Sequence, residues 1–117
     1  MEDVTRIPPH SVESEQSILG SILLDKDAII TVSETIRPSD FYKEAHKIIY
    51  ECMLKLSNKN EPIDLITLTE ELKKQGHLDD VGGISYITSL STIVPTTSNV
   101  KYYADIVKEK SVLRQLI

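Results

Sequence analysis

The side chains in this sequence able to bind a metal or move a proton are His10, His46, His77, Cys52 and the carboxylate pairs Glu70–Glu71 and Asp79–Asp80. The histidines are too scattered for their spacing to compose a zinc site. His46 and Cys52 stand six residues apart, about 240° around a helix axis, so they cannot share a ligand cage unaided. Adjacent helical carboxylates point apart. Glycosidase-type hydrolysis needs two carboxylates facing one another across a cleft, which neither pair foreshadows. Serines are plentiful, but none stands in the G-x-S-x-G turn that exposes a nucleophile. Gly20, Gly76, Gly82 and Gly83 never open the G-x-x-x-x-G-K-[ST] spacing that wraps phosphate. The chain reads as a non-enzyme, with no catalytic, cofactor-binding or metal residue.

Composition points the same way. Forty percent apolar and 26% charged residues are ordinary values for a folded globule, so a chain of 117 residues can build one real core. A single cysteine cannot close an internal disulfide, which fits a reducing cytoplasm. The opening Met1-Glu2-Asp3 is acidic and lacks the apolar run of a secretory signal. No stretch nears the roughly 18 apolar residues of a membrane span. The net charge of −5 is uneven: residues 98–117 carry a surplus of two positive charges, leaving seven surplus negative charges on 1–97. Phosphate neutralisation supplies most non-specific nucleic-acid affinity, so the acidic body argues against DNA binding as the main task.

The elements that must position these groups are helical. Ser11 is a suitable N-cap, with Glu13 and Glu15 in the first turn favouring the helix dipole, ahead of a stripe of Val12, Ile18, Leu19, Ile22 and Leu23. Gly20 inside that stripe suggests close helix contact. Asp25 can cap a shorter second helix to about Glu34. Pro38-Ser39-Asp40 stops and restarts the chain. Phe41, Ala45, Ile48, Ile49, Cys52, Met53 and Leu56 then share one helical face. Asp64 caps a fourth helix carrying Leu65, Leu68 and Leu72, with Thr67 and Glu70 as a competing capping box, and Gly76 ends it. After Gly82-Gly83 a fifth helix carries Ile84, Ile87 and Leu90 and stops before Pro95. Thr96, Thr97 and Ser98 can each cap the last helix. Ile29-Ile30-Thr31-Val32 has strand-forming residues but no alternating partner segment. The fold class is all-α: a compact bundle of about five to six helices over 1–97, then a further helical arm over 98–117.

The last helix is the most informative. Val100, Tyr103, Val107 and Ile117 line one stripe, and Tyr102, Ile106, Leu113 and Leu116 line a neighbouring one. Together they cover more of the circumference than a helix needs to sit on its own core. The surplus is expected to meet a second helix, another subunit, or both, and the uncapped apolar end reads as a chain cut within or just after a helix. Tyr86, at the edge of the fifth helix's stripe, can bury its ring and keep its hydroxyl wet, as contact residues do.

In order along the chain, five segments resemble one family. They are Arg6-Ile7-Pro8-Pro9 with Ser11 through Gly20, Asp40-Phe41-Tyr42 with Ala45-His46, Glu61-Pro62-Ile63-Asp64, Gly82-Gly83-Ile84-Ser85-Tyr86, and Val94-Pro95-Thr96 through Arg114. Together they are similar to the N-terminal domain of DnaB-type bacterial replicative helicases. The resemblance implies a helical body followed by a helical hairpin, with residues 98–117 as its first arm. It implies a collar over a hexameric ring, supporting subunit pairing and docking of the primase C-terminal helicase-binding region at the replication fork in the bacterial cytoplasm. A helicase loader is a further partner it leaves open. ATP and magnesium belong to the separate motor it implies, which makes the full-length protein the helicase. By the same analogy Tyr86, Arg114 and Ile117 face the partner, and Tyr103 and Val107 lie at the hairpin seam. A stand-alone helical adaptor and a DNA-binding domain are the competing readings.

Overall fold

The computed structural model describes residues 7–93 and 99–117, and among these the regular elements are all helical. α1 (Val12–Leu24) starts where Ser11 Oγ accepts the Ser14 N–H at 3.2 Å, satisfying one of the amides a helix start leaves free. α2 (Ala28–Ser33) follows a turn in which the Asp25 carboxylate accepts the Asp27 N–H at 3.0 Å. Its β-branched residues are helical because Ile29 and Val32, three apart, reach the core together while Ile30 faces out.

Phe41 is not in the third helix. Pro38–Asp40 forms a 3₁₀ turn, Phe41 leaves it extended (φ −72°, ψ 143°) and α3 begins later (Glu44–Asn58). The N–H groups of Tyr42 and Lys43, which a helix would have organised, are instead held by the Glu15 carboxylate at 2.7 and 3.4 Å. Phe41 still enters the core, from outside the helix. α4 (Leu65–Gln75) takes Asp64 as its cap. The Asp64 carboxylate accepts the Thr67 N–H at 2.8 Å and Thr67 Oγ1 accepts the Asp64 N–H at 2.9 Å, which decides between the two capping boxes. Gly76 ends α4 at φ +77°.

A second 3₁₀ turn, Asp79–Val81, leads into α5 (Gly83–Ile93). Ile87 and Leu90 are buried as their spacing requires, whereas Ile84, counted with them from the sequence, is exposed. The Pro95 stop and the caps at Thr96, Thr97 and Ser98 lie outside the described residues. α6 (Val100–Gln115) is shorter than the 20 residues read from the sequence. α1 is the hub, packing on α2, α3, α5 and α6, while α4 covers α3 and α5. One continuous core runs from Ile18, Leu19 and Ile22 through Ile49, Tyr50 and Met53 to Val100, Ala104 and Val107, so the face of α6 belongs to the body.

Gly82 sits at φ +104°, and a Cβ there would lie 2.8 Å from Cβ of Tyr86. Gly82→Ala is therefore expected to lower unfolding free energy by about 2–3 kcal/mol, combining left-handed strain with a backbone shift under Tyr86. Gly76→Ala, with open space around it, is expected to cost only about 1 kcal/mol. Urea denaturation of the two variants checks the order. Equal losses would mean that the clash beneath Tyr86 relaxes freely.

Candidate interaction surface

Two buried polar clusters hold the ends of α5 and α6 in place. In the first, Glu15 is 1% exposed and its Oε1 lies 2.7 Å from His46 Nδ1. A carboxylate accepts, so the hydrogen between them sits on His46 Nδ1. The hydroxyl of Tyr86 is hydrogen-bonded to Nε2 at 2.6 Å and accepts from the Gln16 side-chain amide at 3.1 Å. The His46 and Tyr86 rings stack, 5.9 Å apart. The chain of donors and acceptors thus ties α1, α3 and α5 together. The Tyr86 hydroxyl, expected to stay wet for a partner, is engaged within the fold, and its ring is half-buried.

The second cluster centres on Asp40. Its carboxylate accepts from the Arg37 N–H at 2.7 Å and from Ser111 Oγ at 2.7 Å, with Lys108 Nζ at 3.5 Å. Arg114 donates to the Asp40 carbonyl at 2.6 Å and to the Pro9 carbonyl at 2.8 Å. Its guanidinium lies 5.4 Å from the centre of the Tyr42 ring, on which His10 also stacks. The end of α6 is thereby bound to the lead-in and to the turn before α3.

Away from these clusters, apolar side chains on and just after α6 stay exposed among the described residues. Tyr102 is 73% exposed, Leu116 77% and Ile117 85%, with Val112 and Leu113 also exposed and Ile106 half-buried. Tyr102, Ile106, Leu113 and Leu116 recur at helical spacing, the second of the two stripes in the sequence. Of the first stripe, Val100 and Val107 are buried, Tyr103 is half-buried against the core, and Ile117 is exposed beyond the last helical residue. Val107, expected at the hairpin seam, is 2% exposed and packs in the chain's own core. A second, largely apolar groove, lined by Leu23, Leu24, Leu65 and Ile66 with Asp64 and Ser91, lies across the end of α1 and the start of α4.

The remaining reactive side chains have structural surroundings. Cys52 is buried, and burial together with the nearby Glu71 charge pushes its thiol up to about 11, leaving little thiolate at neutral pH. Burial opposes ionisation of Glu71, but hydrogen bonds from Gln75 and Lys55 and the charges of Lys59 and Lys74 hold its carboxyl below the usual range. Its neighbour Glu70 points outward and pairs with Lys73 at 3.4 Å. Asp80 lies in the exposed turn beside His77. Among the described residues no three His, Cys, Asp or Glu side chains gather as metal ligands, and no helix is long and apolar enough to cross a membrane.

Comparison with known proteins adds a family. The model of the "DnaB-like helicase N terminal domain" matches residues 7–109. Replicative DNA helicase DnaB of Geobacillus stearothermophilus is 50% identical over 112 residues, covering 96% of this chain. The chain spans 25% of that relative's length. The N-terminal domain of DnaB helicase from Mycobacterium tuberculosis superposes with a TM-score of 0.92 at 46% identity, over 94% of this chain and 80% of that one. The corresponding domain from Helicobacter pylori, described with its interactions with primase, gives 0.74 at 25% identity over 89% and 80%.

Proposed function

This chain belongs to the family of DnaB-like helicase N-terminal domains, and from that membership we propose that it serves as the non-catalytic collar of a hexameric replicative helicase, supporting subunit pairing and docking primase. The observation that carries this reading is the uncovered apolar stripe of α6, on a helix whose opposite face is already buried in the core. Contiguous exposed apolar surface on a stable domain marks a place where another protein sits. The far end of the stripe, Leu113, Leu116 and Ile117, is assigned to primase together with Arg114 and Tyr86. The near end, Tyr102, Ile106 and the edge residue Tyr103, is assigned to the subunit seam. ATP hydrolysis and strand separation are assigned to a motor carried elsewhere in the full-length protein.

Titration of the chain with the C-terminal helicase-binding region of a bacterial primase tests the docking assignment. Saturable binding is expected, weakened about tenfold by Tyr86→Ala and by Ile117→Ala, in the range of interface anchors. Affinity unchanged in both variants would remove them from the docking surface. Binding to duplex DNA instead, falling steeply with salt, would favour the DNA-binding reading.

A further inference from the structure

We propose that Asp40 is a positioning residue: it sets the rotation of α6 and so the direction in which the docking stripe faces. The apolar anchor of α6 consists of Val100, Ala104 and Val107, and the next buried residue on that face is Ser111. Apolar contact is non-directional, and here it runs out halfway along the helix, ahead of Leu113 and Leu116. From that point hydrogen bonds take over. Lys108, Ser111 and Arg114 follow one another at three-residue intervals, which keeps them on one side of the helix. All three converge on Asp40: Ser111 and Lys108 on the carboxylate at 2.7 and 3.5 Å, Arg114 on the carbonyl at 2.6 Å.

Asp40 is itself a fixed point. It is buried, sits in the 3₁₀ turn after Pro38, and receives the Arg37 N–H on the carboxylate oxygen that faces Lys108. A short charge-assisted bond has a narrow angular optimum, so this hub resists rotation of the helix in a way that packing alone does not. Turning α6 by one residue's worth, about 100°, would break all three contacts and carry Leu113 and Leu116 off the docking face. The proposal rests on the docking reading above.

The test uses Asp40→Ala, Asp40→Asn and Ser111→Ala in the full chain, the last removing a single hydroxyl in case the first unfolds the domain. Hydrogen exchange and affinity for the primase C-terminal region are read on each. For Asp40→Ala and Ser111→Ala, amides of α6 beyond Val107 are expected to exchange about tenfold faster, as for loss of one buried hydrogen-bond partner, with those of α1 and α3 unchanged. Primase affinity should fall by a similar factor. Asp40→Asn should restore much of both, since its amide can accept from Arg37 and donate to Ser111. Unchanged exchange in α6 overturns the proposal. So does faster exchange spread evenly over the body, or a loosened α6 that still binds primase normally. A wild-type chain that does not bind primase refutes the docking reading itself, and this proposal with it, whatever the exchange pattern.

Discussion

Glu15→Ala is expected to remove about 3–4 kcal/mol of folding stability, a large share of what a domain of this size possesses. The carboxylate is buried and receives the Tyr42 and Lys43 backbone N–H groups and His46 Nδ1–H. Deleting it strands the buried His46 Nδ1–H and takes the acceptor from the part-buried Tyr42 and Lys43 amides, and an unsatisfied buried donor costs about 1–3 kcal/mol. The Tyr86 hydroxyl also loses its partner's orientation, because the carboxylate holds the His46 ring in place through Nδ1. Glu13 is the matched control, lying in the same first turn but exposed. If Glu15 acted only on the helix dipole, the two alanine variants would lose similar amounts, about 0.3–1 kcal/mol. Urea denaturation at neutral pH separates the cases, and equal midpoints for the two variants would refute the network account.

The second large effect concerns binding and leaves the fold alone. Leu113→Asp combined with Leu116→Asp is expected to weaken primase docking about 100-fold or more, since a carboxylate would have to be desolvated inside an apolar contact. Both side chains are exposed in the free chain, so stability should fall by no more than about 2 kcal/mol, the cost of two carboxylates at the C-terminal end of a helix. A titration and a melt on the same sample suffice. A wild-type affinity would remove the far end of the stripe from the docking surface, and a collapsed melting curve would show that these leucines serve the chain's own core.

Much of this arrangement is legible in the sequence. Ser11, Asp64 and Gly76 act at helix ends as their chemistry requires, because capping depends on one or two neighbouring amides. The two stripes of α6 were also separable by spacing alone. The buried polar residues carry a fainter signal. Glu15 falls in line with Ile18, Leu19 and Ile22, and His46 with Ile49, Tyr50 and Met53, which places a carboxylate and an imidazole on core-facing positions. Burial of either alone is unfavourable, so each implied a partner. Which partner is a tertiary matter: His46 meets Glu15 across 31 residues and Asp40 meets Ser111 across 71, and no local pattern encodes such pairings. The internal bonds of Arg114 and Tyr86 are tertiary in the same way, joining them to Pro9, Asp40 and His46 far along the chain. The late start of α3 likewise follows from a distant carboxylate taking up the Tyr42 and Lys43 amides.

The most direct test of the docking face is a methyl NMR titration of the chain with the primase C-terminal region. The stripe account predicts that the methyls of Leu113, Leu116 and Ile117 shift first and furthest, while those of Leu24 and Ile66 in the groove across α1 and α4 stay in place. The reverse pattern, with the groove perturbed and the α6 methyls silent, would contradict it.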